Sequence, residues 1–288
     1  MGEYLWGGDE VDLDAYLARI GYTGSLTPNA HTLSDLARAH IAGIPFENLD
    51  VVLGRGVSLD LPSLEAKLVH QPRGGYCFEH TTLFAAVLEQ LGFSFHAYSS
   101  RVRMGTSKLH VATHAVLDVE ADGGRWLVDV GFGAGALEPI PLYDGAQVRQ
   151  GDWTFRLDRE QALTGLTWVL RQQQGDDWID LHAFTDNRQF PIDYRVGNFY
   201  TAEHARSPFR RQLVLQRTEP QLRRALRGTS PTLTTSRPDG AHEDQAVAPA
   251  ELPDVAADLF NIRLTEEDAA ALRRIATAWA SAEDAVLR

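Results

Sequence analysis

A single cysteine, two methionines and the lack of any eighteen-residue apolar run set the first limits on this 288-residue chain. One thiol excludes an intrachain disulfide, and without a long apolar run no helix is expected to span a membrane. The opening Met1-Gly2-Glu3-Tyr4-Leu5-Trp6 has neither the basic region nor the apolar stretch of a secretory signal, so the expected compartment is the cytoplasm. Basic residues are also scarce: 27 stand against 39 acidic ones, for a formal net charge of −12. That balance argues against general nucleic-acid binding, which needs a basic face to neutralise phosphates. It leaves room for a local basic cluster holding one phosphorylated ligand. Internal repeats and long low-complexity tracts are missing as well. What is present, a chain 44% hydrophobic, can bury a substantial core divided among two or three small domains.

Periodicity divides the chain. Leu13, Tyr16, Leu17 and Ile20 form one helical stripe, and Leu33, Leu36 and Ile41 begin a second behind Thr32 as its N-cap. Leu83, Phe84, Val87, Leu88 and Leu91 form a third that stops at Gly92. From Ser94 the period changes to two, predicting strands over Phe95–Val102, Val111–Val119, Arg125–Val130, Trp153–Leu157, Leu166–Gln172 and Trp178–Phe184. Turn signals such as Asp122-Gly123-Gly124 and Gly175-Asp176-Asp177 separate several of them, which implies an antiparallel sheet or small barrel. The stretch from about Gly228 to Pro253, rich in Thr, Ser, Pro, Asp and Ala, reads as loop, and Thr265–Leu287 returns to helical spacing.

The one cysteine stands in Pro72-Arg73-Gly74-Gly75-Tyr76-Cys77-Phe78-Glu79-His80, in or just before the first turn of the third helix. Unpaired N–H groups and the positive end of the helix dipole favour a thiolate there. Gly74 and Gly75, lacking a Cβ, permit a sharp entry and a close substrate approach. The plainer alternative is a small buried core residue. A nucleophilic thiol needs a base, and the base needs a group to orient it. His114 in Val111–Leu117 and Asp129 in Trp126–Gly131 both lie among apolar neighbours, where a polar group needs a partner. In a hairpin with its loop at Ala121-Asp122 the two pair directly, and with the loop at Asp122-Gly123 they lie diagonally. Either register keeps both side chains on one face, as a catalytic pair or simply a satisfied buried contact. His80, three residues beyond Cys77, is the competing base, but a group on the same turn is poorly aligned for proton transfer, which favours His114. The Gly131-Phe132-Gly133-Ala134-Gly135-Ala136 loop can offer backbone donors to a phosphate, or be a plain turn; it has neither the context of a dinucleotide fingerprint nor the Lys of a P-loop.

In these blocks the chain resembles the arylamine N-acetyltransferases of bacterial type. The resemblance is carried by Ile44-Pro45-Phe46-Glu47-Asn48-Leu49, Arg73 to His80, Thr113 to Leu117, Leu127 to Gly133, and Asn198-Phe199-Tyr200-Thr201 with Ser207-Pro208-Phe209, in that order. It implies an α+β fold: an N-terminal helical bundle over 1–92 carrying the nucleophile, a central antiparallel β-barrel over 93–210 carrying His and Asp, and a C-terminal α/β lid over 211–288. The core would be like that of papain-like cysteine enzymes and transglutaminases. By the same resemblance Cys77 is the acyl-accepting nucleophile, His114 the base and acid, and Asp129 the orienter, with Arg73 and Glu47 as a structural ion pair. Acetyl-CoA is the implied co-substrate, lying against Gly131, Phe132, Gly133 and Gly135, and Phe46, Phe132 and Phe209 line the acceptor pocket; no metal is implied. The implied activity is acetyl transfer to arylamines and arylhydrazines in two half-reactions, as in xenobiotic metabolism, by a monomer or homodimer. The alternatives are an amide synthase closing a polyketide macrolactam and a transglutaminase- or protease-like cysteine hydrolase. Thr81 stands where Asn is common in the family, and Glu203 and Arg206 where small or polar residues are usual.

Overall fold

The computed structural model describes residues 4–106 and 108–286. Met1–Glu3 of the N-terminal reading and Leu287 of the last expected helix lie outside the described residues. Asp12 starts α1 (Leu13–Ile20) by accepting the Ala15 N–H at 3.0 Å, and Gly21 ends it in the left-handed region at φ 68°. The next helix, α2 (Ala30–Gly43), is capped by Asn29, whose side chain accepts the Thr32 N–H at 2.9 Å. Thr32, the expected cap, therefore lies inside the first turn, because Asn29 sits at the spacing that reaches an N3 donor. The strand β1 (Phe46–Glu47), α3 (Leu49–Val52), α4 (Leu61–Leu64) with a π turn at Glu65–Val69, and α5 (Cys77–Gln90) complete this segment. Every residue of α5 from Cys77 to Leu88 is buried. The apolar stripe seen in the sequence is thus only part of a helix enclosed on all sides.

Eight antiparallel strands follow: β2 (Ser94–Val102), β3 (Ala112–Ala121), β4 (Gly124–Val128), β5 (Ile140–Pro141), β6 (Ala146–Gln150), β7 (Trp153–Ala162), β8 (Gly165–Gln174) and β9 (Asp177–Gln189). Their order is β5-β4-β3-β2-β9-β8-β7-β6. The two edge strands, β5 and β6, are consecutive in sequence and joined by one short turn, so the sheet curls into a nearly closed barrel around Trp153, Phe155, Leu170 and Phe184. Between β3 and β4, Ala121 pairs with Gly124, and Asp122 and Gly123 both have positive φ, as a tight two-residue hairpin loop requires. This selects the diagonal register of the two considered for His114 and Asp129.

After the barrel come α6 (Pro191–Glu203), a 3-10 turn at Pro208–Arg210, then β10 (Leu213–Thr218), β11 (Arg223–Gly228), β12 (Thr232–Ser236), β13 (His242–Ala246), α7 (Leu252–Phe260) and α8 (Glu266–Val286). The stretch expected to be loop between Gly228 and Pro253 thus contains two strands. Apart from the buried Leu233 of β12 their side chains are polar or small, and those of β13 are all exposed, so backbone pairing rather than apolar alternation holds this sheet edge. One face of this second sheet, with Leu213, Leu215, Leu226 and Leu233, packs on Leu252, Phe260 and Leu272 of the last two helices. Phe46 pairs with Gln216 and Glu47 with Leu215, so β1, inside the expected helical segment, is an edge strand of the C-terminal sheet. No helix among the described residues is long and apolar enough to cross a membrane.

A buried ion network ties β1, α3, the π turn and α5 together. Glu47 is fully buried, and its Oε1 takes Arg73 Nε and Nη2, each at 2.8 Å; Nη2 also reaches Asp50 Oδ1 at 3.0 Å. Lys67 Nζ lies 2.7 Å from both Asp50 Oδ2 and Glu79 Oε1, and Glu79 Oε2 accepts the Tyr76 N–H at 3.0 Å. The network therefore runs from β1 to Tyr76, the residue before Cys77. Removing one member of such a buried pair leaves an uncompensated charge, which costs about 3–5 kcal/mol. Arg73→Met, which keeps the volume but strands Glu47, is expected to lower unfolding stability by about 3 kcal/mol or more in urea titrations. An unchanged midpoint would mean that the pair does not anchor the fold.

Candidate active site

Cys77 is the first residue of α5, held there by the residues around it. Glu47 N–H donates to Gly75 O at 2.8 Å and Gly75 N–H to Pro45 O at 3.2 Å, which zips the turn onto β1. A Cβ at Gly74 would stand 1.8 Å from Pro45 O, and one at Gly75 2.7 Å from Glu79 Oε2. These glycines answer to close packing within the protein, which corrects the expectation that they make room for a substrate.

His114 reaches the cysteine from β3. Ser100 pairs with His114 and Arg101 with Ala112, so Thr113 is the extra residue of a β-bulge. A bulge re-aims neighbouring groups, and here the freed Thr113 carbonyl lies 3.4 Å from Cys77 Sγ. His114 is 2% exposed, and its Nε2 lies 2.8 Å from Asp129 Oδ2. With Nε2 committed to the carboxylate, Nδ1 is the ring nitrogen left for Cys77, which lines the same cavity and helps to raise the pKa of the ring. The diagonal register delivers the shared face inferred from the sequence. Asp129 Oδ1 accepts the Gly131 N–H at 3.2 Å, which turns the chain into the glycine loop.

Burial alone would lower the pKa of His114, but the Asp129 charge and hydrogen bond outweigh it, and Cys77 adds to them, so the imidazole is pushed up to about 10. Asp129 is the mirror case: burial would raise it, whereas His114 and then His182 hold it well below the usual carboxylate range. His80 is elsewhere engaged. Its Nε2–H faces Pro45 O at 3.2 Å and Gly75 O at 3.0 Å, while Nδ1 lies 2.8 Å from His40 Nε2; His40 Nδ1 in turn lies 2.8 Å from Tyr16 Oη. Both of its ring nitrogens are committed to the fold, and burial lowers its pKa to about 4. The structure gives it no access to the Cys77 proton.

Above the cysteine is a cavity of about 710 Å³. Phe46, Phe132 and Phe209 all line it, as expected, and Gly131 and Phe132 lie on its wall. Gly133 and Gly135 do not; they border a separate small space behind the loop, together with His80 and Asp129. A Cβ at Gly131 would come within 2.7 Å of the Cys77 Cα, and one at Gly133, where φ is +74°, within 2.7 Å of Phe46 Cγ. These two glycines thus allow the loop to pack on Cys77 and on β1. Asn48 holds the Phe209 segment, donating to Phe209 O at 2.9 Å and Gln212 O at 2.8 Å. Arg103, Arg206 and Arg227 also line the cavity; the resemblance set the Arg206 segment at the border of the pocket, and the sequence reading placed neither Arg103 nor Arg227 there.

It also missed His182. This residue on β9 is fully buried, with Nδ1 2.8 Å from Ser100 Oγ and Nε2 3.0 Å from Asp129 Oδ2. The signal was available, since His182 sits among Leu181, Ala183 and Phe184 just as His114 sits in its own strand. His114, Asp129 and His182 offer three ligand atoms within 4.8 Å of one another, a grouping that could hold a metal ion. Two ligands about 2.0 Å from a tetrahedral zinc lie roughly 3.3 Å apart, however, so the 2.8 Å contact of His114 with Asp129 fits a shared proton better.

Comparison with known proteins bears on the site. A family profile described as N-acetyltransferase matches residues 29–269. An arylamine N-acetyltransferase of Escherichia coli K12 is 37% identical over 246 residues, covering 85% of this chain and 84% of its own. The crystal structure of the Nocardia farcinica arylamine N-acetyltransferase superposes with a TM-score of 0.89 at 47% identity, over 94% of this chain and 96% of that one. The structure of the Mycobacterium marinum arylamine N-acetyltransferase in complex with CoA gives 0.81 at 32% identity, over 93% and 98%.

The shifted pair makes stability depend on pH. The raised His114 contributes in full below its ordinary value near 6.5, and its contribution is lost as pH rises through about 10. The lowered Asp129 contributes in full above its ordinary value near 3.8, and its contribution is lost as pH falls below it. The stability advantage of wild type over Asp129→Asn is therefore expected to be greatest between about pH 4 and 6.5 and to shrink steadily towards pH 10. Urea unfolding at pH 5.5 and 9.5 measures it; equal differences at both values would contradict the ion pair.

Proposed function

The chain belongs to the arylamine N-acetyltransferase family, and from that premise we propose that Cys77, His114 and Asp129 are the nucleophile, proton carrier and orienting carboxylate of its acetyl transfer from acetyl-CoA to arylamines. The observation that carries this reading is the conjunction at one cavity: a buried imidazole 2.8 Å from a buried carboxylate, the only thiol of the chain, and three aromatic rings.

In the first half-reaction Cys77 sulfur attacks the thioester carbonyl, with backbone N–H groups of the helix start, including its own, stabilising the developing oxyanion. The carbonyl collapses, the bond to the CoA sulfur breaks, and the His114 imidazolium returns a proton to that sulfur. CoA leaves as the thiol, and Cys77 carries the acetyl group. In the second, the amine attacks the acyl-enzyme, neutral His114 takes the proton from nitrogen, and the carbon–sulfur bond to Cys77 breaks. The products are the amide and the cysteine–histidine pair in its starting protonation state. Asp129 stays ionised throughout, orienting the ring and stabilising its charged form. Arylhydrazines fit the same step, because their terminal nitrogen is also nucleophilic.

The cavity suits both substrates. Its aromatic walls favour a flat ring, and Arg103, Arg206 and Arg227 supply positive charge for the phosphates of CoA in an otherwise acidic chain. Gly131 and Phe132 remain in the proposed CoA contact; Gly133 and Gly135 support it from behind. The relatives compared are arylamine N-acetyltransferases, which does not favour the macrolactam-closing or hydrolytic alternatives.

Mixing the enzyme with acetyl-CoA in the absence of amine is expected to release one equivalent of CoA and leave one acetyl group on Cys77, detectable by intact-mass and peptide analysis. Cys77→Ser, nearly isosteric but far harder to ionise, should bind acetyl-CoA without either event. Turnover of an arylamine by Cys77→Ser at a rate near wild type would sink the covalent mechanism.

A further inference from the structure

We propose that His182 is a fourth, positioning residue of the catalytic centre, which donates its Nε2–H to the Asp129 oxygen that also holds His114, with the Ser100 hydroxyl selecting the tautomer that makes this possible. The proposal rests on the reading of Cys77, His114 and Asp129 given above and adds a residue to it.

The geometry begins with one oxygen shared by two rings. Asp129 Oδ2 lies 2.8 Å from His114 Nε2 and 3.0 Å from His182 Nε2. The second contact has the distance of a hydrogen bond but not its alignment, which leaves His182 Nε2 a buried polar atom without a hydrogen-bond partner, facing the carboxylate. An ionised carboxylate can only accept. If His182 were protonated on Nδ1 alone, the Nε2 lone pair would face the carboxylate, an unfavourable contact in a site buried from solvent. The Nε2–H tautomer turns that contact into an attraction and requires Nδ1 to accept. Ser100 Oγ is the group in place, 2.8 Å from Nδ1. Its proton has one competing acceptor, Ala183 O at 3.1 Å. Ser100 therefore decides between the tautomers by the direction in which it donates.

The surroundings hold the ring in place. His182 packs edge-on against His114 with ring centroids 5.0 Å apart and lies 5.2 Å from Phe132. Its strand neighbours are Val102 on β2 and Leu170 on β8. Asp129 and His114 are the titratable groups that act on it. Ser100 pairs with His114 across β2 and β3, so one residue fixes the strand that bears the base and the tautomer of the ring behind the carboxylate.

Two functional consequences follow. A second donor on Oδ2 fixes the carboxylate in the orientation His114 needs. It also draws charge from that oxygen, so Asp129 holds the His114 imidazolium less tightly and His114 is released more readily to act as base towards the amine.

The test combines kinetics with a readout that needs no turnover. Decay of the preformed acetyl-enzyme with a fixed arylamine would be followed across pH for wild type, His182→Phe, His182→Gln and Ser100→Ala. In His182→Phe the plateau rate is expected to fall about tenfold, the scale seen when an orienting partner is removed. The acid limb, where His114 must be neutral, should move up by roughly one pH unit, the scale of one hydrogen bond to a charged group. His182→Gln, which can present an amide N–H near the same position, should recover most of both effects. A rate loss with no movement of the acid limb, or Phe and Gln behaving alike, would reduce His182 to packing and overturn the proposal. In ¹⁵N-histidine NMR the resonance lost in His182→Gln should show the Nε2–H tautomer in wild type and a mixture in Ser100→Ala. An Nδ1–H ring in wild type would overturn the proposal even if every kinetic variant were impaired. Failure of the triad assignment reads out separately, as normal turnover by Asp129→Asn.

Discussion

Burying an unpaired carboxylate costs several kcal/mol, roughly the scale on which a whole domain is stable. Asp129, 7% exposed, is buried at the junction of the barrel and the helical segment. Much of what surrounds it can be understood as compensation. One oxygen takes His114 and faces His182; the other takes the Gly131 N–H that starts the loop over the cysteine. That loop passes so close to Cys77 that a single methyl group at Gly131 would collide with its backbone. The carboxylate therefore sets, through short contacts, the orientation of His114 and the position of the wall beside Cys77. The barrel supplies the frame for this, since the bulge at Thr113 and the tight turn at Asp122-Gly123 fix which residues of β3 and β4 face inward.

A second buried network does different work. Tyr16 donates to His40, His40 to His80, and His80 to the carbonyls of Pro45 and Gly75. Burial lowers the pKa of both histidines, and His80 further lowers that of His40. The chain satisfies its members as neutral groups. Two histidines close to one cysteine are thus separated in function by their partners: His114 meets a carboxylate and gains a proton, whereas His80 meets carbonyls and another imidazole and stays neutral. Sequence distance from Cys77 would have ranked them the other way.

Much of the centre was legible in the sequence because its residues violate local pattern. A histidine and an aspartate inside apolar strands each demand a partner, and the parity of a hairpin keeps them together in either register. The same reasoning applied to the Trp178–Phe184 strand would have flagged His182, but no adjacent hairpin linked it to Asp129, since β9 reaches the site from across β2. Other features left no local trace. The strand β12 has one buried apolar residue, Leu233, among polar ones, β13 is an exposed edge strand, α6 begins at Pro191 with a weak apolar stripe, and β1 is two residues long and gains meaning only by pairing with β10. The glycines at 74 and 75 were visible, but their purpose was not, because the atoms they make room for belong to Pro45 and Glu79. The three cavity arginines come from three separate segments, so no basic run announced them.

The central claim is that the buried Asp129 carboxylate holds His114 as an imidazolium until the reaction calls for the base. The most direct measurement is a ¹⁵N NMR titration of His114 in the resting enzyme, assigned by comparison with His114→Gln. The account predicts a doubly protonated ring through neutral pH that gives up its proton only towards pH 10, and a marked fall of that midpoint in Asp129→Asn. A wild-type midpoint near the ordinary value of about 6.5, unchanged by Asp129→Asn, would contradict it.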